Sequence, residues 1–308
     1  MTLQQLEYIV AVDTHRHFVR AAEACGVTQS TLSAMIRKLE TELDVQIFDR
    51  ESHPVRPTAF GEQLLRQARV LLYNASQFGE MARAERSADT GELKLGVIPT
   101  VAPYVLPQLF RAVLETLPGV LLRASESRTE LLVRKLKLAE LDVALMSTPI
   151  EDDELLQIPL YYEKFLAYVS PGEPLHARRE IDSREMPSEH LWVLQEGHCL
   201  RNQVMNLCGR KSDYSAYYEA GSIDTLVRIV DLNGGYTVIP ELHVALLREA
   251  QKSCVRPLVN PEPVREISFV IRRDFVRERL LNRLADVLRA IIPEPMLDMR
   301  LKKFAIRL

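Results

Sequence analysis

Residues 21–50 read AAEACGVTQSTLSAMIRKLETELDVQIFDR, a run in which the helical spacing is interrupted once. Gly26 breaks the first helical pattern and indicates a turn. Thr28 is of the residue type that caps the start of a helix. An apolar stripe follows at helical spacing: Leu32, Ile36 and Leu39. Two short helices joined by a glycine-containing turn predict a helix-turn-helix.

The residues after this run predict a wing and a long helix. The segment 47–56 is bounded by Pro54 and Pro57 and has the length of a small hairpin. A helix is expected from about Thr58, and its apolar residues alternate at spacings of four and three: Leu64, Ala68, Leu71, Ala75, Phe78 and Ala82. A mean spacing of about 3.5 residues is typical of a coiled-coil seam. A helix that lies on its own domain would show the same pattern.

A polar segment, Ser87 to Glu92, contains Gly91 and marks a domain boundary. Beyond it the strand and helix patterns alternate, with strands at 93–98, 120–126 and 142–146 and helices at 104–117 and 129–138. This βαβαβ order predicts a parallel sheet. We therefore expect a winged helix-turn-helix domain at 1–58, a linker helix at 59–88 and a regulatory domain at 89–308.

The bulk composition limits the class of protein. The formal net charge is −3, so any DNA contact must come from a local basic surface. The N-terminus lacks the pattern of a signal peptide, and no apolar run approaches the roughly 18 residues that cross a bilayer. We expect a cytoplasmic protein with no membrane contact, no metal and no cofactor. In that reducing compartment the four cysteines are not a disulfide scaffold.

A polar face accompanies the apolar stripe of the second short helix. Gln29, Ser33 and Arg37 recur every four residues and share the side opposite the stripe. Glutamine can pair with adenine through two hydrogen bonds in a major groove, and arginine can contact phosphate. The solvated face of an amphipathic helix has the same residue types, so residue types alone leave both interpretations open.

The segment EGHCLRNQVMNLC, residues 196–208, carries Cys199 and Cys208 nine positions apart. His198 and Arg201 flank the first cysteine, and a helix is predicted immediately after it. A thiol at a helix N-terminus near cationic groups has a lowered pKa and a larger thiolate fraction. Cys208 can then resolve a sulfenic acid into a disulfide.

Helix geometry keeps these two cysteines apart. If 199–208 were one helix, nine steps of about 1.5 Å would separate the two backbones by roughly 13.5 Å and point the side chains about 180° apart. A disulfide needs Cα atoms within about 7 Å, so the helix would have to unfold for the bond to form. The alternative is that both are small buried hydrophobic residues. Cys25 at the helix-helix turn and Cys254 before a predicted strand are expected to be structural.

The run at 21–50 resembles the N-terminal signature of LysR-type transcriptional regulators, and the PTAFGEQLL segment at 57–65 is similar too. The resemblance extends over essentially the whole chain. It implies an α/β effector domain of two Rossmann-like lobes, arranged like a periplasmic binding protein, after a winged helix-turn-helix domain and a linker helix. It also implies dimers through the linker helices and tetramers through the effector domains. The implied contacts to double-stranded promoter DNA are Gln29, Ser30, Thr31, Ser33, Arg37 and Arg56.

GHCLRNQ with the later Cys208, and GVIPTVAPYVLP at 96–107, resemble segments of the hydrogen-peroxide sensors within that family. This implies that Cys199 is the peroxidatic cysteine and Cys208 the resolving one. The groups implied around the peroxide are Thr100, Thr129 and His198, with Arg265 as the positive neighbour. Hydroxyl and imidazole groups can polarise the O–O bond while a guanidinium stabilises the thiolate. The expected function is a peroxide-switched activator of antioxidant genes that works with RNA polymerase.

Three other functions fit parts of the sequence. A LysR-type regulator that answers to a small organic effector in the cleft between the lobes would have unreactive cysteines. A thiol peroxidase or disulfide oxidoreductase is disfavoured, because no C-x-x-C motif is present and a helix-turn-helix has no catalytic task. We therefore expect no enzyme. A solute-binding protein for transport is disfavoured by the missing signal pattern and by the first ninety or so residues.

Overall fold

The computed structural model describes residues 1–84, 90–187, 189–208 and 221–304. Contacts divide the chain into one unit of Met1–Ser87 with Lys137–Glu140, and a second of Ala88–Leu136 with Leu141–Leu308. Part of the boundary segment expected at 87–92 lies outside the described residues. Within the described ranges, no helix combines the length and the apolar character that crossing a membrane requires.

The first unit is a helix-turn-helix followed by a wing and a long helix. Its elements are α1 (Leu3–His15), α2 (Phe18–Ala24), α3 (Gln29–Leu43), β1 (Phe48–Asp49), β2 (Arg56–Pro57) and α4 (Ala59–Ala84). Gly26 makes the turn between α2 and α3 with a φ of +66°, a conformation that favours glycine. The Thr28 side chain caps α3 by accepting from the Thr31 N–H. The predicted stripe of α3 is fully buried, which confirms the helix-turn-helix.

The wing is held closely against the start of α4. β1 and β2 pair antiparallel over two residues each. A side chain at Gly61, on the first turn of α4, would place its Cβ 2.0 Å from the Ile47 carbonyl oxygen, so only glycine fits there. Further along α4 the predicted seam is buried at Ala68 but exposed at Leu71 and Phe78. Leu71 and Phe78 are therefore not covered by their own unit.

The second unit begins with the predicted βαβαβ order. Its elements are β3 (Gly91–Val97), α5 (Ala102–Thr116), β4 (Val120–Glu126), α6 (Thr129–Lys137) and β5 (Val143–Thr148). β3 pairs parallel with both β4 and β5, as expected. β10 (Val264–Arg272) then joins β5 antiparallel, so the sheet is mixed, and the expectation of a parallel sheet holds for β3, β4 and β5. α10 (Glu278–Ile291) packs against α5 and completes this lobe.

A single strand, β6 (Leu155–Val169), belongs to both lobes. It pairs with β10 up to Lys164 and then with β8 (Tyr236–Pro240) from Phe165 onward. The remaining elements of the second lobe are β7 (Ile181–Asp182), α7 (Cys199–Cys208), α8 (Ile223–Asn233), α9 (Glu249–Lys252) and β9 (Val255–Val259). Each lobe has its own hydrophobic core. The two-lobed α/β architecture is therefore confirmed.

Candidate functional site

A buried ion pair lies where the two lobes meet. Arg265 on β10 and Glu163 on β6 are directly opposite each other in the antiparallel ladder. The guanidinium donates from Nε at 2.9 Å and from Nη2 at 2.7 Å to the same carboxylate oxygen, and neither side chain is exposed. The other carboxylate oxygen accepts from the Leu242 backbone N–H at 2.9 Å. Because a buried charge is tolerated only when it is paired and hydrogen-bonded, these contacts make the site possible.

The loop after β3 supplies the remaining partners of this guanidinium. Arg265 Nη1 donates to the Thr100 hydroxyl and Nη2 to the Thr100 carbonyl, each at 2.9 Å. Nη2 also contacts the Tyr104 hydroxyl, which itself contacts the Thr100 carbonyl. Burial raises the pKa of Tyr104 well above its usual value, so this hydroxyl stays neutral. Arg265 is thus fixed in orientation by Glu163 on β6 and by the segment after β3.

Cys199 is the first residue of α7 and is buried within the core of the first lobe. Burial raises the pKa of its thiol above the ordinary value. Four influences favour the thiolate and partly offset this: the charge of Arg265, the hydroxyl of Thr129, and hydrogen bonds from the backbone of Leu200 and Ser147. The Cys199 thiol is therefore mainly protonated, and the groups that stabilise its thiolate are already in position around it.

This arrangement corrects the expectation of a lowered thiol pKa. The sequence shows a helix start and two flanking basic residues, but desolvation outweighs them. His198 does not supply charge, because burial and then the charge of Arg128 lower the pKa of its imidazole. The cation that acts on the thiol is Arg265, from a distant strand.

Two buried polar atoms, one on a residue that acts on the thiol and one on the residue before Cys199, lack a protein partner among the described residues. Thr129 is the first residue of α6, and its hydroxyl oxygen has no partner of hydrogen-bond geometry in the part of the chain that the structure describes. The same holds for Nε2 of His198, which is next to Cys199 in the chain. Unsatisfied buried polar atoms are rare, and these two are groups that a small polar molecule could hydrogen-bond.

The structure thus places Thr100, Thr129, Arg265 and Cys199 in one neighbourhood, with His198 joined to it through the chain. Cys208 is the last residue of α7, and its side chain lies outside the described residues. At about 1.5 Å per residue, the ten-residue helix keeps the two cysteine backbones roughly 13.5 Å apart. Among the described residues, no group of three His, Cys, Asp or Glu side chains is placed to hold a metal ion.

Sequence reasoning missed Glu163 and Tyr104. Glu163 had a usable signal, because it is a carboxylate within the largely apolar run IPLYYEKFLAYV. A charge inside an otherwise buried strand needs a partner, and Arg265 in the buried strand VREISFVIR is of the matching sign. Tyr104 had no comparable signal, since a tyrosine on an amphipathic helix is ordinary.

The second predicted site is the polar face of α3. The side chains of Gln29, Ser30, Thr31 and Arg37 are exposed, Ser33 is half-buried, and Arg56 is exposed on β2. The hydroxyl oxygens of Ser30 and Thr31 lie 2.9 and 2.8 Å from that of Thr28, so the helix start carries a hydroxyl cluster. Arg50, by contrast, is tied to Glu40 at 2.7 Å and lies over the Phe18 ring, which gives it a structural role.

Two family models match this chain. The model described as bacterial regulatory helix-turn-helix protein, lysR family, matches residues 3–62. The model described as LysR substrate binding domain matches residues 86–292.

Curated relatives and solved structures cover nearly all of the chain. The hydrogen peroxide-inducible genes activator of Pectobacterium carotovorum subsp. carotovorum is 36% identical over 290 residues, 94% of this chain and 96% of that protein. The DNA-binding transcriptional dual regulator OxyR of Escherichia coli K12 is 35% identical over 94% of this chain and 95% of its own. A full-length OxyR mutant from Pseudomonas aeruginosa has a TM-score of 0.79 at 35% identity, covering 94% of this chain and 98% of that one. A peroxide-bound OxyR mutant from Corynebacterium glutamicum has a TM-score of 0.63 at 30% identity, covering 94% and 92%.

Proposed function

The chain belongs to the LysR family of bacterial regulators, and on that premise we propose that it is a peroxide-switched transcriptional activator. The observation that carries the proposal is the buried Cys199 thiol, which lies beside the charge of Arg265 and the unpartnered hydroxyl of Thr129. Relatives at 35 to 36% identity carry the name of hydrogen peroxide-inducible activators, which supports the same function.

The proposed chemistry is a two-electron oxidation of two thiols by one peroxide. The Cys199 thiolate attacks one peroxide oxygen, the O–O bond breaks, and sulfur becomes a sulfenic acid while hydroxide leaves and takes a proton. Cys208 then attacks that sulfur, the S–S bond forms, and the sulfenic oxygen leaves as a second water. Two thiols and one hydrogen peroxide thus become one disulfide and two waters.

The surrounding groups have separate parts in this reaction. Arg265 favours the thiolate and the departing hydroxide, and Glu163 and Thr100 hold that guanidinium in place. The Thr129 hydroxyl and the neutral His198 imidazole offer the buried polar atoms that a peroxide would satisfy. Without peroxide, these groups leave the Cys199 thiol mostly protonated. They act only when a peroxide is bound among them, so the thiol should react with peroxide in preference to larger oxidants.

The switch follows from the separation along α7. Because a disulfide needs Cα atoms within about 7 Å, α7 must unwind before Cys199 and Cys208 can bond. We propose that this local refolding reorients the regulatory domains in a homotetramer and so changes how the DNA-binding domains sit on promoter DNA and recruit RNA polymerase in the cytoplasm. The exposed seam residues Leu71 and Phe78 on α4 supply the apolar contact for the dimer.

The proposed DNA contacts are the exposed groups at the start of α3 and on the wing. Gln29, Ser30, Thr31 and Ser33 would reach base edges, while Arg37 and Arg56 would reach phosphate or the minor groove.

Mass spectrometry of peroxide-treated protein tests the sensing step. Wild-type protein at low peroxide should give a Cys199–Cys208 linked peptide, and Cys199→Ser and Cys208→Ser should not. Cys254→Ser is the matched control, since Cys254 is a buried cysteine of the second lobe that is not part of α7, and it should keep the linkage. If wild-type protein forms no such linkage, the proposed sensing mechanism is refuted, whereas the proposed DNA binding is not affected by that result.

A response to a small organic effector is the second candidate. A cavity of about 300 Å³ in the regulatory unit favours it, since its volume matches the lower end of ligand pockets. Its lining includes Tyr162, Lys164, Glu241, Met296 and Leu301. A regulator of this kind would keep its full response in the Cys199→Ser variant, whereas a peroxide switch would lose it.

A further inference from the structure

Arg128 contacts the turn that leads into Cys199. It lies on the loop between β4 and α6, and its Nη1 donates to the Glu196 carbonyl oxygen at 3.2 Å. Its side chain also packs over Gly197, because a Cβ built on that glycine would come within 3.1 Å of Arg128 Cδ. Gly197 has a φ of +88°, which other residues rarely adopt, so the turn is specified by both the glycine and the arginine above it.

The next residue of the same loop acts on the sulfur itself. Thr129 follows Arg128 directly, and its hydroxyl favours the Cys199 thiolate. One dipeptide of the first lobe therefore acts on the thiol segment at two points, through a contact with the turn before the cysteine and through the effect of the Thr129 hydroxyl on the thiol. Fixing the first point sets where the sulfur lies relative to the second.

We propose that Arg128 is a positioning residue for the thiol, clamping the Glu196–Gly197 turn so that Cys199 stays buried against Thr129. This inference deepens the proposed peroxide reaction and rests on it. Arg128 does not touch the reacting atoms and acts through the turn. The turn has to move when α7 unwinds, so the clamp belongs to the reduced form and opposes the onset of refolding.

The charge of Arg128 has a second effect on the same segment. After burial, it is the cause that lowers the pKa of His198, and among the described residues it is the charge that acts on this imidazole. A neutral imidazole can accept a hydrogen bond at its free nitrogen, which an imidazolium cannot. The side chain therefore holds the turn before α7 and, after burial, contributes to keeping the His198 imidazole neutral.

Replacing Arg128 by glutamine tests both effects. Arg128→Gln removes the charge and shortens the reach, so the turn should open more often. Alkylation of Cys199 by iodoacetamide at neutral pH should then rise about fivefold, the effect of losing one solvent-exposed hydrogen bond from a charged group. The His198 pKa, followed by NMR and assigned with His198→Gln, should rise because a nearby positive charge is gone. A weakening that exposes His198 would raise the same pKa, because burial is the first cause of its lowering, so a variant that keeps the charge is needed to assign the shift.

Arg123→Gln is the matched control. Arg123 is an exposed arginine on β4, paired with Glu92 at 3.0 Å, and its loss should leave both readouts at wild-type values. Arg128→Lys separates the contact with the turn from the effect of the charge on His198. It also keeps the proposal testable if Arg128→Gln does not fold. It keeps the charge but lacks the planar guanidinium, so alkylation should rise while the His198 pKa stays near wild type.

The positioning inference is overturned if alkylation of Cys199 in the Arg128 variants stays within twofold of wild type. None of these readouts uses peroxide or Cys208, so they also distinguish the two proposals. If wild-type protein does not react with peroxide but Cys199 alkylation rises in the Arg128 variants as expected, the positioning role of Arg128 is supported and the proposed peroxide sensing is refuted.

Discussion

The unwinding of α7 predicts that helix propensity at an exposed position will set the redox midpoint of the cysteine pair. Asn202 is exposed on α7 between the two cysteines. Asn202→Gly and Asn202→Ala differ by about 1 kcal/mol in helix stability, in favour of alanine. If α7 exists only in the reduced form, the full difference in helix stability changes the free energy of the dithiol form and leaves that of the disulfide form unchanged.

The expected shift follows directly from this difference. For a two-electron couple about 1.4 kcal/mol corresponds to about 30 mV, so the glycine variant should have a midpoint about 20 mV more negative than the alanine variant. The sign is fixed, because destabilising the reduced helix favours the disulfide. The midpoint is measured by equilibration in thiol–disulfide buffers, quenching by alkylation and mass spectrometry of the 199–208 segment.

A matched pair of variants controls for general stability. Asn282 is exposed on α10, so Asn282→Gly and Asn282→Ala should change the free energy of unfolding by a similar amount and leave the midpoint alone. Equal midpoints for the two Asn202 variants, or a more negative one for alanine, would refute the idea that α7 unwinds on oxidation.

Three further predictions concern the other groups. Because burial raises the pKa of Cys199 and only the thiolate is alkylated, its reaction with iodoacetamide should rise about tenfold per pH unit below that pKa; a rate that is flat across neutral pH would mean a lowered pKa instead. Glu163→Gln leaves the fully buried Arg265 uncompensated and should lower the free energy of unfolding in urea by about 3 to 5 kcal/mol; a loss below about 1 kcal/mol would show that the pair does not matter to the fold. Arg37→Ala should weaken binding to all DNA sequences alike and reduce the salt slope by about one; unchanged affinity in a binding titration would remove this residue from the interface.

Local periodicity was enough to predict most elements. The stripe of Leu32, Ile36 and Leu39 is buried where α3 meets its neighbours, and Gly26 makes the turn before it. The alternation after Gly91 is the parallel part of the sheet. These features depend on residues close together in the chain, and the spacing of apolar residues indicates this kind of local structure.

The electrostatics of the thiol could not be predicted in the same way. The flanking residues of Cys199 indicate a lowered pKa, but the actual direction depends on how deeply α7 is buried. The cation that acts on the sulfur comes from β10, and its carboxylate partner from β6. Such contacts depend on strand pairing between distant segments, and the resemblance to a family, not the residue pattern, supplied Arg265.

The continuity of β6 has a mechanical consequence. Its partner changes from β10 to β8 between Lys164 and Phe165, immediately after Glu163. On this strand, rocking of one lobe relative to the other would change the backbone torsions near the point where the pairing partner changes. Rocking would therefore displace the Glu163 carboxylate, and the guanidinium bound to it would follow. The same part of β6 thus takes part in lobe motion and holds the arginine that acts on the thiol. A movement of the lobes and a chemical change at the sulfur are therefore expected to influence each other.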